Sequence, residues 1–230
     1  MAHSLLLVRH GQIQANRDGI WHGSTDSPLL PRGRLQARKV GLAVGRRSAL
    51  EGWHLSAAYS SPLQRCRHTA TLALFYRGSY ERSWLKRLAN RLSIPSPDEL
   101  DVEPHLELLP ELREYGIGEW EGTSFKDLAR DHQFVGRAIQ DPDFAPPGGE
   151  SLRQVSQRVA SALRTIDSRH GPDERVLVCS HGAALAIGLA TLLNSDPTLW
   201  VDYPLSNCSL SELRLSGAPE LRYFNQVAHL

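Results

Sequence analysis

Two short apolar segments of this chain each end in a histidine. Residues 5–8 (LLLV) are followed by Arg9-His10-Gly11, and residues 176–179 (VLVC) are followed by Ser180-His181-Gly182. Short apolar runs of this kind indicate buried strands of a parallel sheet. Open α/β sheets bind ligands at the carboxyl ends of such strands. Both imidazoles are therefore expected at the ligand-binding edge of a sheet.

Strand and helix patterns alternate along the rest of the chain. Strands are predicted at 5–8, 54–59, 176–179, 209–215 and 221–227. Helices are predicted at 31–49, from Glu150 onward and from His181 onward, because Pro31 suits a first helical turn and apolar residues recur every three or four positions after Glu150. The alternation predicts an α/β sandwich, folded as one domain over residues 1–230.

Residues 76–97 interrupt this alternation. The segment mixes five basic residues with Trp84, Leu85 and Leu88, and is interpreted as a helical insertion. Two interpretations stay open. One is a solvated helix that docks an apolar stripe on the body, and the other is a lid or subunit contact that shapes substrate choice.

Composition excludes several function classes. Lys and Arg number 26 against 25 Asp and Glu, so no global positive field is expected to hold nucleic acid or a membrane surface. Neither a signal peptide nor an apolar run near the roughly 20 residues of a membrane span is recognised, which predicts a cytoplasmic protein. The cysteines Cys66, Cys179 and Cys208 form no close pair and are predicted to be buried thiols.

Arg9, His10 and Gly11 form a compact group suited to an anion. The planar guanidinium of Arg9 fits phosphate oxygens, His10 can act as nucleophile or base, and Gly11 lets the backbone approach a ligand. Arg65 opens a predicted helix after the 54–59 strand, and helix N-termini attract anions. Each residue also has an ordinary interpretation, as a core histidine or a surface-paired arginine, so this group alone does not decide function.

A series of motifs in this order resembles the histidine phosphatase superfamily, which includes cofactor-dependent phosphoglycerate mutases and many small-molecule phosphatases. The resemblance covers almost the whole chain. The motifs are 7–11 (LVRHG) with Asn16 and Gly23, 60–65 (SSPLQR), 112–114 (LRE) with 118–122 (GEWEG), 148–151 (GGES) and 180–182 (SHG). The resemblance implies a phosphoglycerate mutase-like fold, a three-layer α/β/α sandwich with a mostly parallel central sheet.

The resemblance implies a catalytic role for five residues. His10 is the nucleophile that becomes phosphohistidine, while Arg9, Arg65 and His181 hold the phosphoryl oxygens. His181 is under opposing influences, because a helix N-terminus disfavours imidazolium whereas a bound phosphate and nearby acidic groups favour it. The phosphate is expected to prevail. Glu114 matches the general acid, although in isolation it could be an exposed carboxylate of an acidic stretch.

Three further residues are expected to bind substrate. Asn16 and Gly23 match positions that line the phosphate end of the pocket, through a side-chain amide and a backbone amide respectively. His22 stands where relatives usually carry a polar Gln or Thr, and either contacts phosphate or caps the loop. The other histidines lack metal-ligand spacing, so neither a metal nor a cofactor is expected.

Three functions are compatible with the resemblance. After Glu114 the chain continues as 115–122 (YGIGEWEG), whereas glycolytic mutases of the family show a Tyr-Gly-x-Leu-x-Gly-x-Asn-Lys pattern. The difference favours a metal-independent phosphomonoesterase that acts on a small phosphorylated metabolite through phosphohistidine. The alternatives are mutase-type phosphoryl transfer and a catalytically silent binding domain, which the five retained catalytic positions disfavour. The resemblance also allows a homodimer.

Overall fold

The computed structural model describes residues 3–81, 94–171 and 173–230. Six strands form one sheet: β1 (Ser4–Arg9), β2 (Leu55–Ser60), β3 (Leu106–Leu108), β4 (Arg175–Ser180), β5 (Leu210–Arg214) and β6 (Glu220–Gln226). Their order across the sheet is β3-β2-β4-β1-β5-β6. The four strands from β3 to β1 pair in parallel, whereas β5 is antiparallel to both of its neighbours. The sheet is therefore mostly parallel, as expected.

Seven α-helices accompany the sheet in the described part of the chain. They are α1 (Gln14–Asp18), α2 (Pro31–Glu51), α3 (Gln64–Glu81), α4 (Phe125–Arg130), α5 (Phe134–Gln140), α6 (Leu152–Ser168) and α7 (Gly182–Asn194). Pro31 occupies the first turn of α2, and Ser151 caps α6 through a reciprocal pair of hydrogen bonds with Gln154. None of the helices described here is long and apolar enough to cross a membrane.

Alternate side chains of the central strands pack on opposite faces of the sheet. On β1, Leu5 and Leu7 join an apolar cluster with α6 and α7, whereas Leu6 and Val8 join a second cluster with α2 and α3. The apolar stripe predicted after Glu150 is buried in the first cluster. Helices thus cover both faces, which confirms the three-layer α/β/α sandwich.

The structure contains elements that were not predicted, among them α1, α4, α5 and β3. The short edge strand β3 was not predicted, because three residues of which two are exposed show no clear apolar pattern. Of the predicted insertion at 76–97, residues 76–81 continue α3, residues 94–96 precede a 3-10 turn at Pro97–Glu99, and Pro97 begins that turn. The remainder, residues 82–93, lies outside the described residues.

Candidate active site

The pairing of β1 with β4 brings the two histidines together. Arg9 is paired with Ser180 in the parallel register, and the His10 backbone N–H donates to the Ser180 carbonyl at 2.9 Å. The imidazole centroids of His10 and His181 lie 5.2 Å apart, with the rings inclined at 64°. Both side chains are buried at the carboxyl edge of the sheet. The two imidazoles therefore lie at the carboxyl edge of the sheet, as the two apolar segments predicted.

The protonation of His10 follows from one hydrogen bond. Its Nδ1 lies 2.8 Å from the Gly11 carbonyl oxygen, which can only accept, so Nδ1 carries the proton and Nε2 carries a lone pair. Burial, and then the positive charges of Arg65 and Arg9, hold the pKa of His10 well below 6.5. The imidazole is therefore neutral near pH 7, with a nucleophilic Nε2.

Gly11 itself is needed for packing. Its N–H donates to Thr69 Oγ1 at 3.0 Å, and a Cβ at this position would overlap the carbonyl group of Gly33 in α2. The backbone at Gly11 therefore approaches another group closely, as predicted. The group that it approaches is the backbone of α2, whereas the prediction was a ligand.

Arg65 and His181 form a buried pair. The Nε–H of Arg65 donates to His181 Nδ1 at 3.1 Å, so His181 holds its proton on Nε2, which lies 2.8 Å from Ser61 Oγ. Burial, followed by the charge of Arg65, holds the pKa of His181 well below 6.5. His181 is neutral in this arrangement.

Loop 22–25 receives the other donors of Arg65. Its guanidinium donates to the carbonyl oxygens of His22, Gly23 and Thr25 at 3.1, 2.8 and 2.7 Å. Gly23 lies against the Tyr115 carbonyl so closely that a Cβ would overlap it. Residues of this loop thus hold Arg65 in place through their carbonyl groups.

Arg9 has a donor left over. Its Nη1 donates to the Leu205 carbonyl at 2.5 Å, while Nε is buried and has no hydrogen-bond partner among the described residues. A buried N–H without a partner costs free energy, roughly 1–3 kcal/mol when the group is desolvated. An anionic ligand would satisfy this donor.

Glu114 rests on the first turn of α7. Its Oε1 accepts from the backbone N–H of Ala184 at 2.8 Å, and its Oε2 accepts from that of Ala183 at 3.3 Å. Other acidic residues nearby have different partners: Glu121 accepts from Ser24 and Thr25, and Glu107 pairs with Arg169. Glu114 is therefore distinguished from the acidic stretch around it by its position.

Arg158 of α6 holds the segment that carries Glu114. Its guanidinium donates to the carbonyl oxygens of Glu111, Arg113 and Glu114 at 2.7, 2.6 and 2.9 Å. The same guanidinium forms two hydrogen bonds, each 2.7 Å long, with the Glu150 carboxylate. Sequence reasoning did not single out Arg158. Its signal, an arginine four residues after the last residue of a capping box, is too common to be interpreted as functional.

Asn16 is oriented by a residue far along the chain. Asn207 Nδ2 donates to Asn16 Oδ1 and to the His10 carbonyl, each at 3.0 Å. Because Asn16 Oδ1 also accepts from the Ile13 N–H, its amide oxygen is engaged and its amide nitrogen is left for other contacts. Asn207 was likewise not predicted as part of the site, since 191 residues separate it from Asn16.

A cavity of about 350 Å³ lies beside these groups. Five of the predicted site residues line it: Arg9, His10, Asn16, His22 and Glu114. Gly23, Arg65 and His181 are not among its lining residues, and all three are buried. The rest of the lining consists of Ile13, Ile20, Trp21, Phe125, Gly182, Ala183, Ala186, Trp200, Val201, Tyr203, Pro204 and Leu205.

Within residues 3–81, 94–171 and 173–230, no group of three or more His, Cys, Asp or Glu side chains could hold a metal ion. Cys66, Cys179 and Cys208 are buried free thiols, and burial raises the pKa of the Cys66 thiol well above its usual value. Cys66 Sγ lies 3.3 Å from His181 Nε2, so it packs against the site as an inert neighbour.

A family model for the histidine phosphatase superfamily (branch 1) matches residues 5–91 and 98–226. The chain belongs to this superfamily. The match confirms the resemblance that the motifs predicted.

Individual proteins are similar to the chain over most of its length. A bifunctional protein of Mycobacterium tuberculosis is 31% identical over 230 residues, which is 98% of the chain and 54% of that protein, so the chain spans about half the length of this relative. The adenosylcobalamin/alpha-ribazole phosphatase of Escherichia coli is 30% identical over 191 residues, covering 82% of the chain and 78% of that enzyme. The crystal structure of an alpha-ribazole-5'-P phosphatase, described as putative, from E. coli shares 25% identity and a TM-score of 0.72, with 98% of this chain and 97% of that chain covered.

Proposed function

We propose that this histidine phosphatase is a metal-independent phosphomonoesterase that hydrolyses a small phosphorylated metabolite through a phosphohistidine at His10. The observation that carries the proposal is the hydrogen bond between His10 Nδ1 and the Gly11 carbonyl. It leaves the Nε2 lone pair unprotonated in a residue that lines a cavity together with Arg9 and Glu114. A nucleophile, a cation and a proton donor are the groups that transfer of a phosphoryl group to a side chain needs.

In the first step, His10 Nε2 attacks the phosphorus of the bound ester. The N–P bond forms as the P–O bond to the alcohol breaks, and the bond's electron pair stays on the departing oxygen. Glu114, in its protonated form, gives that oxygen a proton, so the alcohol leaves neutral. The positive charge of Arg9 offsets the negative charge on the phosphoryl oxygens in the transition state.

In the second step, a water molecule attacks phosphohistidine. Glu114, now a carboxylate, takes the water proton as the new O–P bond forms, and the N–P bond electrons return to His10 Nε2. Inorganic phosphate leaves and the site is restored. A positioned acid and base of this kind contributes about 10² to 10⁴ in rate.

The contacts of Glu114 suggest how it is released for this role. Phosphoryl oxygens at the first turn of α7 would compete with its carboxylate for the N–H groups of Ala183 and Ala184. Arg158 keeps the Glu114 backbone in place while the side chain exchanges these bonds. The proposal thus assigns the backbone of Glu114 a fixed position and its side chain a moving one.

Arg65, His181, Asn16, His22 and Gly23 are proposed to support phosphate binding. The positive charge of Arg65 lies close enough to His10 to lower the pKa of that imidazole. Asn16 and His22 line the cavity directly. Gly23 contributes through its carbonyl bond to Arg65, in addition to the backbone amide predicted from the resemblance.

The test is to detect the covalent intermediate and its product. Purified protein that is mixed with a panel of phosphate monoesters should release inorganic phosphate and carry acid-labile phosphate on His10. Vanadate should inhibit, and chelators should have no effect. A loss of activity on chelation would contradict metal independence. With 3-phosphoglycerate and 2,3-bisphosphoglycerate, efficient isomerisation and little free phosphate would show the mutase alternative instead.

Two further predictions accompany this function. A cytoplasmic location is proposed from the sequence and agrees with three buried free thiols. A homodimer is proposed from the resemblance, and light scattering on the purified chain measures it directly. Tight binding of a protein partner without phosphate release from any ester would favour the silent binding domain.

A further inference from the structure

The walls of the cavity are mostly apolar. Of the lining residues, Trp21, Phe125, Trp200 and Tyr203 are aromatic. The charged side chains in the described lining are Arg9 and Glu114, both of which the proposed reaction uses. The rest of the cavity therefore faces the alcohol part of the substrate with mostly apolar surface.

The first wall is a pair of joined segments. The Trp21 N–H donates to the Thr123 carbonyl at 3.0 Å, and Ile20 forms a β-bridge with Ser124. This pairing places Phe125 edge to face with Trp21, with ring centroids 5.7 Å apart. Phe125 is nevertheless 47% exposed, so it presents a free aromatic surface at the cavity.

The second wall follows the 3-10 helix Pro197–Asp202. Trp200 and Val201 come from this helix, and Val201 is 47% exposed. Tyr203 is fixed by a 2.6 Å hydrogen bond from its hydroxyl to Asn194 Oδ1 and by an edge-to-face contact with Phe224. The Leu205 carbonyl accepts from Arg9, so the wall is joined directly to the phosphoryl end.

The charges decide between classes of substrate. A carboxylate or second phosphate on the alcohol would lie against walls that offer it no Lys or Arg side chain among the described lining residues other than Arg9, which the phosphoryl group uses. It would also share the cavity with the acidic side chain of Glu114. Desolvating an unpaired anion is costly. An uncharged ring, in contrast, gains free energy by leaving water for aromatic and aliphatic walls.

We propose that the cavity selects phosphate monoesters whose alcohol carries a flat, uncharged aromatic ring system, which packs between the Trp21–Phe125 wall and the Trp200–Leu205 wall. The inference rests on the proposed phosphomonoesterase function and adds the substrate class to it. A volume of about 350 Å³ is at the lower end of the range for small-molecule sites, and it accommodates a phosphoryl group with a two-ring system.

The test compares esters with the same type of leaving oxygen. The compounds 2-(2-naphthyl)ethyl phosphate, glycerol 1-phosphate and 3-phosphoglycerate are all phosphates of primary alcohols, so their intrinsic reactivity is similar. We expect kcat/KM for the naphthyl ester to exceed that for glycerol phosphate by about 10-fold and that for 3-phosphoglycerate by about 100-fold. Equal or reversed values would overturn the substrate class.

Variants of the second wall test whether its side chains cause the preference for the naphthyl ester. Val201→Ser should lower kcat/KM for the naphthyl ester at least about 5-fold more than for 3-phosphoglycerate. This factor corresponds to the free energy of the apolar contact between Val201 and the ring that the substitution removes. Leu199→Ser is the matched control, because Leu199 belongs to the same 3-10 helix, is 37% exposed and does not line the cavity. An equal response of the two variants would contradict the assignment of the wall. Phe125→Ser repeats the test from the first wall, so the result does not depend on the folding of one variant.

A phosphate compound without a ring distinguishes failure of the substrate class from failure of the proposed phosphatase function. Acetyl phosphate is small and reactive, and its hydrolysis should depend on His10 whatever the preferred alcohol is. Acetyl phosphate turnover without a preference for the naphthyl ester would overturn the substrate class and leave the phosphatase proposal standing. Absence of His10-dependent turnover of every compound, acetyl phosphate included, would overturn both.

Discussion

The two ends of the cavity are built in different ways. At the phosphoryl end, His10 is 3% exposed, Arg65 and His181 are fully buried, and most of the polar atoms of these three side chains are hydrogen-bonded to other groups of the protein. At the mouth, Phe125 and Val201 are each 47% exposed. Side chains at the mouth can change at little cost in packing, whereas those at the phosphoryl end cannot. The buried core of the fold therefore positions the residues proposed to react, whereas exposed side chains at the mouth determine which alcohol is accommodated.

The largest effect is expected from the nucleophile. His10→Ala should lower kcat at least about 10⁴-fold and abolish acid-labile phosphate incorporation, because it removes the nitrogen that the proposal assigns as the nucleophile. Phosphate release and labelling with a radioactive ester measure this. His54→Ala, at an exposed position, is the control and should behave as the wild type. Labelling that survives in His10→Ala would place the nucleophile elsewhere.

The general acid is expected to matter less than the nucleophile. Glu114→Gln keeps an oxygen for the Ala184 N–H but has no proton to transfer, so kcat should fall by about 10² to 10⁴ while phosphate still binds. The measurement is kcat against pH, together with the inhibition constant of inorganic phosphate. Near-normal kcat across the pH range would refute the acid role.

Arg158 is expected to act as a positioning residue for Glu114. Arg158→Ala removes the donors for three carbonyl groups and the Glu150 carboxylate, and should lower kcat about 10-fold with a smaller change in KM. Arg153→Ala is the matched control, since Arg153 lies on the same helix in an exposed pair with Asp143. Combining Arg158→Ala with Glu114→Gln should add little further loss if Arg158 acts through Glu114. Full additivity would indicate a separate, structural role.

The buried histidines should make the fold sensitive to acid. The pKa of His10 is below 6.5 in the folded state, so below pH 6.5 the unfolded chain binds a proton that the folded chain rejects. Stability is therefore present above pH 6.5 and is lost as the pH falls, by up to about 1.4 kcal/mol per pH unit for each such histidine. Urea unfolding at pH 5.5 and 7.5 should give a smaller difference for His10→Asn than for the wild type. The exposed His54→Asn should match the wild type, and equal differences in all three proteins would contradict the expectation.

The smallest effect is expected at the mouth. Phe125→Ser should lower the free energy of unfolding by about 1 kcal/mol, because about half of the residue is already exposed to water and only the rest packs against Trp21. Leu112→Ala, a fully buried change beside the phosphoryl end, should cost about 2–5 kcal/mol. Denaturant titration of both proteins measures the contrast. Similar costs at the two positions would remove the distinction between a rigid end and a variable end.

Much of the fold could be predicted because each local pattern agrees with the final structure. The apolar runs at 5–8 and 176–179 are strands, and the stripe after Glu150 is a buried helical face. In these segments local periodicity and burial specify the same element. The strand β3 could not be predicted, since its partner on β2 rather than its own three residues makes it a strand.

The site divides in the same way. His10, Arg9 and Glu114 could be predicted from their motifs, and the structure brings them to one cavity. The contributions of Arg158 and Asn207 could not, because they act through carbonyl and amide contacts across 44 to 197 residues of chain. Such contacts leave no local pattern in the sequence.

The sequence by itself determined the sheet strands that carry the two histidines, the order of the motifs and the family. The tautomer of His10, the neutral state of His181, the engagement of Glu114 with α7 and the apolar walls of the cavity were decided only by tertiary structure. The physical reason is the range of the interactions. Strand and helix patterns depend on neighbouring residues, whereas protonation and cavity shape depend on which carbonyl groups, charges and rings the folded chain brings together.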